Sequence, residues 1–322
     1  MLNREMGDDV ETRARILDWL LEGDPAIRWQ VLRDLEGVPE SVWSAEQKRV
    51  AREGWGARLL EHQDDNGRWT PWLYGKKWIS TTYTLVLLRR LGMPPSKKIQ
   101  RSCLLFFDEA QQPNGGITAS RPKGSRSETC VTGMALAFLC WFRVDDPRRE
   151  RLVDYLLANQ MSDGGWNCIR GADHSSFHTT ISVLEAWQEY AAANGTRVAE
   201  TEAAEARGQE FMLRHRLFKS HHTGEVVSGQ FLRFSFPPQW HYDILRGLDY
   251  FWAAGSLGDD RLSDAIEVVV RKRRKDGRWP LQQRWPGETW FEMEKVGEPS
   301  RWNTLRAMRV LEARGGGLAD RI

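Results

Sequence analysis

The chain has 322 residues, enough for one large domain or two ordinary ones, and its 41% hydrophobic content supplies a sizeable core. A formal net charge of +2 gives no whole-molecule attraction to nucleic acid or to an anionic membrane. Four cysteines in this length make no disulfide framework, no apolar run reaches membrane-spanning length, and the charged start MLNREMGDDVETR has no signal-peptide core. A cytoplasmic location is the expectation.

Helical patterns run the length of the chain and strand patterns are scarce. The first helix is expected over 10–22 and the first apolar one over 27–35. Further apolar helices are expected over 80–91, 128–142, 177–190, 241–251 and 301–313. More charged helices alternate with them, over about 44–62, 96–111, 147–160, 197–216 and 259–275. A turn signal ends several of the charged helices: Gln63-Asp-Asp-Asn-Gly-Arg-Trp69, Gln111-Gln-Pro-Asn-Gly-Gly-Ile117, Gln160-Met-Ser-Asp-Gly-Gly-Trp166 and Lys275-Asp-Gly-Arg-Trp279. Glycine takes the positive φ of such a turn without steric penalty, and a tryptophan beside it can pack where helices meet and donate its N–H to a carbonyl. The repeats account for 16 Trp against 6 Tyr.

Six apolar and six amphipathic helices in alternation are expected to close into one all-α domain over residues 1–322, an α/α toroid of inner and outer helices. The N-terminal helix would pair with the last inner helix and shut the ring. The segment 223–240 reads as a short irregular or hairpin insertion over the mouth, and 280–300 as a second irregular stretch.

The Gln…Asp-Gly-Gly-Trp turns resemble the repeat shared by squalene and oxidosqualene cyclases and protein prenyltransferase β-subunits, from about Trp55 to Leu311. That resemblance implies an α/α barrel with its active site in the central cavity. It also implies a zinc site. Glu128-Thr129-Cys130 and Phe177-His178-Thr179 are similar to the prenyltransferase elements in which an Asp-x-Cys pair and a later His hold catalytic zinc, with Glu in place of Asp.

Aligning the inner helices on their apolar pattern makes Trp29, Thr82, Cys130, His178, His241 and Trp302 equivalent, facing one rim. Cys168 lies in the loop before one of them. Two thiolates and two imidazoles suit Zn²⁺ and balance its charge, so Cys130, Cys168, His178 and His241 are the expected ligands. As a closed set they would be structural; with one position open the metal would be a Lewis acid or thiolate activator. Glu128, His174 and Asp243 are the candidate catalytic groups, His174 and Asp243 for proton transfer and Asp243 also as an acceptor orienting a ligand imidazole. Each has a plainer role too. Cys130 could be a small buried hydrophobe, His178 a cap, His174 simply loop, and Asp243 a first-turn carboxylate favoured by the helix dipole. His221 and His222 are expected to face solvent.

Arg126, Arg170, Arg233, Arg246 and Arg301 fall near the same rim and together could bind an anionic head group. Trp29, Trp72, Trp78, Trp240, Trp290 and Trp302 could line the cavity and stabilise cations through their π faces. The D-x-D-D and D-D-x-x-D motifs of ordinary cyclisation do not occur. Two functions remain. One is a zinc enzyme acting on an apolar or prenyl-type small molecule. The other is a non-catalytic lipid- or peptide-binding toroid with structural zinc. A lanthionine-cyclase-like role ranks third, because no Cys-His dipeptide is present. Partners other than the small molecule are not implied, and a partner subunit is left open.

Overall fold

The structure is a computed structural model and describes residues 2–119 and 126–315. The regular elements among the described residues are helices, and β pairing among them is confined to isolated bridges. Six inner helices carry the apolar runs: α2 (Pro25–Asp34), α5 (Thr81–Leu91), α7 (Thr129–Trp141), α9 (Phe177–Ala192), α11 (Ile244–Ala253) and α13 (Arg301–Ala313). Around them lie α1 (Leu2–Leu21), α3 (Glu40–Arg49), α4 (Gly54–Glu61), α6 (Lys97–Leu105), α8 (Arg149–Ala158), α10 (Val198–Arg214) and α12 (Ser263–Arg271). The expected helix over 44–62 is therefore two helices, α3 and α4. Gly54, at φ +66°, breaks them, and Asp24 explains where. Its carboxylate caps α2 through Ala26 N at 2.9 Å and also accepts Trp55 N at 2.7 Å, at the start of α4.

The repeated turn has one chemistry. The indole N–H of Trp69, Trp166 and Trp279 donates to Leu59 O, Leu156 O and Val269 O at 2.6, 2.7 and 2.7 Å, on the preceding outer helix. The backbone N–H of Trp166 and Trp279 donates to the hydroxyl of Thr180 and Thr304 at 3.0 Å, on the following inner helix. In the copy with isoleucine, Ile117 N reaches Thr132 Oγ1 at 2.9 Å. The leading glutamine closes the turn: Gln160 Nε2 donates to Gly164 O at 2.7 Å and to Ala204 O of the next outer helix at 2.8 Å. Gly164 sits at φ +99°, and a Cβ there would stand 2.5 Å from Arg207 O. The Trp166 copy thus ties one outer helix, one inner helix and the next outer helix to a single loop.

The inner helices close on themselves. A side chain on Gly133 would stand 3.0 Å from Ser182 O, so its glycine lets α7 and α9 approach closely. Glu185 of α9 accepts Arg246 of α11. Arg309 of α13 reaches Asp249 of α11 at 3.1 Å and Asp34 of α2 at 2.5 Å. Trp29 Nε1 of α2 donates to Leu91 O of α5 at 2.9 Å. The N-terminal helix joins this closure, with Arg13 on Glu312 of α13 at 2.9 Å. A tight hairpin, Lys219 bridged to Val226, precedes a 3₁₀ turn, Gly229–Leu232, so the insertion is mostly irregular and its hairpin begins earlier than the expected 223.

No helix among the described residues is long and apolar enough to cross a membrane.

Candidate functional site

The starts of α9 and α11, the end of the insertion and the 280–300 segment meet at one mouth of the ring. His241 lies here between two indoles, with ring centroids 3.8 Å from Trp240 and 3.3 Å from Trp285. His178 packs edge-on to Trp240 at 5.1 Å and to His241 at 6.0 Å. Burial, then the Arg246 charge, pushes the His178 imidazole down to about 4. Burial, then His178 and Arg246, pushes His241 down to about 3. Both rings are neutral at ordinary pH. Tyr242 N donates to His178 Nδ1 at 2.8 Å, which leaves only Nε2 of that ring uncommitted.

The two cysteines form a second pair. Cys168 Sγ accepts the backbone N–H of Cys130 at 2.8 Å. A hydrogen bond from the Cys130 thiol lowers the Cys168 thiol, against burial and with help from Thr179. The same bond and burial hold Cys130 well above the usual thiol range.

The four expected zinc ligands thus come together as Cys with Cys and His with His. Among the described residues no group of three or more His, Cys, Asp or Glu side chains is placed to hold a metal ion. The alignment of the inner helices holds for four of its six positions. Thr82, Cys130, His178 and Trp302 are each the second residue of an inner helix, as the alignment required. His241 is not, because Asp243 caps α11 and the helix begins at Ile244. Trp29 also departs, as the fifth residue of α2. Cys130, Cys168, His178 and His241, the set expected from the helix alignment, are placed as two pairs and not as one ligand sphere.

Asp243 is wholly buried, and its oxygens accept Arg246 N at 2.9 Å, Ser235 N at 3.1 Å and Ser235 Oγ at 2.8 Å. It is the N-cap of α11, just ahead of the first turn in which the sequence reading placed it. His174 is 79% exposed and pairs with Asp173 at 2.6 Å. Glu128 precedes α7 and accepts Ala119 N at 2.6 Å. Among the arginines, Arg246 is buried against Glu185 and Arg301 donates to Trp19 O at 2.9 Å, so neither is open to an anionic head group.

An apolar cavity of about 40 Å³ opens beside the mouth, lined by Trp78, Phe236, Trp285, Trp290, Phe291, Met293 and Glu294 among others. Trp78 and Trp290 were expected there from the sequence. Trp29 instead packs against Trp43, and Trp72 is 49% exposed. Trp285 and Glu294 were missed. They lie in the irregular 280–300 stretch, where neither helical periodicity nor a motif marks them. Glu294 accepts Ser300 Oγ at 2.5 Å and Arg301 N at 2.7 Å, at the start of α13. Burial raises its carboxyl above the usual range despite those donors.

No protein-family model matches the chain, and no curated protein matches it. Solved structures similar to it include the apo form of the type II terpene cyclase MstE from Scytonema. The identity is 16%, the match covers 98% of each chain, and the TM-score is 0.46. A variant of the same cyclase in complex with geranylgeranyl dihydroxybenzoate is 16% identical, over 100% of this chain and 99% of that one, with a TM-score of 0.47. A protein from Actinoplanes is also 16% identical, over 96% of this chain and 100% of its own, at 0.48.

Proposed function

We propose that the protein is a terpenoid cyclase-like enzyme that binds an apolar, prenyl-type small molecule at the aromatic mouth of the ring. The observation carrying this reading is a half-buried carboxyl, Glu294, that lines a mainly apolar cavity with Trp78, Phe236, Trp285, Trp290 and Phe291 in its wall and Arg284 and Glu292 at its polar side. Burial shifts this carboxyl toward its protonated form, the form that would deliver a proton to an alkene. The π faces of Trp78, Trp285, Trp290 and Phe236 would stabilise the carbocation that results. Loss of a proton from a neighbouring carbon would then end the reaction. A cavity of about 40 Å³ holds little more than a water molecule. In this reading a prenyl chain enters when the 280–300 segment shifts. Zinc has no part in this reading.

A second reading is a non-catalytic binder of apolar molecules. It is favoured by the Glu294 oxygens already serving the start of α13. The test is incubation with a panel of linear prenyl alcohols and prenylated aromatic acids, with products followed by mass spectrometry. New cyclised or isomerised products are expected. Their rate should fall roughly 10²–10⁴-fold in Glu294→Gln, while indole quenching by the substrate persists. Binding with recovery of every substrate unchanged would establish the second reading. Turnover insensitive to Glu294→Gln would remove Glu294 as the acid.

A further inference from the structure

The Cys130–Cys168 contact is not used by the proposed acid chemistry. Cys130 is the second residue of α7, and Cys168 lies in the loop that leads from the Trp166 turn to α9. The Cys130 N–H that Cys168 Sγ accepts at 2.8 Å is one of the first-turn donors that no intrahelical carbonyl can satisfy. The sulfur of Cys168 is therefore held against the residue that carries the other sulfur. Both cysteines are free and partly exposed, whereas Cys103 and Cys140 are buried. The loop around Cys168 is open to solvent: Ile169 is 71% exposed, and nothing lies within 4 Å of where a Gly171 side chain would project.

We propose that Cys130 and Cys168 form a thiol–disulfide exchange site that reacts with small-molecule disulfides. Cys168, at the helix terminus and beside the open loop, is the attacking thiolate. It displaces one thiolate from the small disulfide, which takes up the proton that Cys168 gave up, and a mixed disulfide forms on Cys168. The Cys130 thiol then loses its proton and attacks the Cys168 sulfur. The second small thiol leaves, and a Cys130–Cys168 disulfide remains. The protein pair is oxidised, the small disulfide is reduced to two thiols, and no other co-reactant is required. The bond would fix the loop to the start of α7 at the mouth of the ring.

The experiment treats the full-length protein with oxidised glutathione, quenches it with acid and maps peptides by mass spectrometry. A disulfide joining the peptides of Cys130 and Cys168 is expected, with Cys103 and Cys140 still reduced. Dithiothreitol should reverse it. In Cys130→Ser the glutathione adduct should build up on Cys168, roughly tenfold faster than an adduct forms on Cys130 in Cys168→Ser. Persistence of both thiols in the wild-type protein under oxidant would overturn the site, and this arm needs no variant to fold. Equal adduct rates in the two variants would overturn the assignment of Cys168 as the attacking group.

Discussion

Tyr242 donates its backbone N–H to Nδ1 of His178 over 2.8 Å, so the segment before α11 is fastened to the first turn of α9 by a bond that requires a neutral ring. Burial and Arg246 already hold His178 at about 4. Burial, His178 and Arg246 hold His241 at about 3. In the unfolded chain both titrate near 6.5. Between those values the unfolded chain binds more protons than the folded one, so stability rises with pH. It is fully present above about 6.5 and is lost as pH falls through about 4 for His178 and about 3 for His241. The melting temperature is expected to drop across this window, corresponding to on the order of 2 kcal/mol for the pair. His178→Gln should flatten part of the slope. A melting temperature that is level from pH 7 to pH 4 in the wild type would contradict the account.

The repeated turn makes a sharper prediction. Gly164→Ala places a methyl group 2.5 Å from Arg207 O at φ +99°, whereas Gly171→Ala, at φ +73°, meets nothing within 4 Å. Gly171→Ala should cost about 1 kcal/mol, from backbone strain alone. Gly164→Ala should cost at least about 2 kcal/mol more, because loop and helix must part. Thr180→Val removes the acceptor of Trp166 N and should cost about 1–3 kcal/mol. Urea denaturation of the three variants checks the order. Equal losses at the two glycines would mean that the approach to α10 does not constrain the turn.

The turn was legible because its Gln, Gly and Trp have roles fixed by covalent geometry and hydrogen bonding, and those roles recur at the same spacing. The inner helices were legible because burial on every side makes them apolar along their length. The zinc ligands were legible only in part. A helix start can be read to within a few residues, and placing α11 three residues early was enough to make His241 appear equivalent to His178. Glu294 and Trp285 were not legible at all. Their positions are set by how an irregular segment folds back over the ring, and that depends on contacts with Trp78 and His241 far away in sequence.

Glu185 accepts charged hydrogen bonds from Arg246 at 2.8 Å, Arg90 at 2.8 Å and Arg89 at 2.9 Å, which joins α9 to α11 on one side and to α5 on the other. Burial alone would raise its carboxyl, but the charges of Arg246, Arg90 and Arg89 outweigh this and hold it far below the usual range. Glu185→Gln leaves three buried guanidiniums facing an uncharged group and should cost about 3–5 kcal/mol. The double variant Glu185→Leu with Arg246→Met should recover part of that loss, because the desolvated pair is removed together. A chemical-denaturation cycle measures both. A single-site loss below about 1 kcal/mol would show that the three arginines find other partners.

Trp285 covers the mouth in two ways. Its ring lies 3.3 Å from the His241 ring, and its carbonyl accepts Trp78 Nε1 at 3.2 Å. Its own indole N–H is buried with no hydrogen-bond partner. The ring therefore contributes packing and not a bond, which separates two substitutions. Trp285→Phe keeps an aromatic face on His241 and removes an unsatisfied donor, so it should change stability by less than about 1.5 kcal/mol. Trp285→Ala empties the space beside a cavity of about 40 Å³ and should cost about 3–5 kcal/mol. The same enlargement should let a prenyl alcohol bind faster, since less of the covering segment has to move. Stopped-flow quenching of the remaining tryptophans would show this as an increased association rate in Trp285→Ala and an unchanged one in Trp285→Phe. If neither rate changes, the route into the ring does not pass beneath the 280–300 segment.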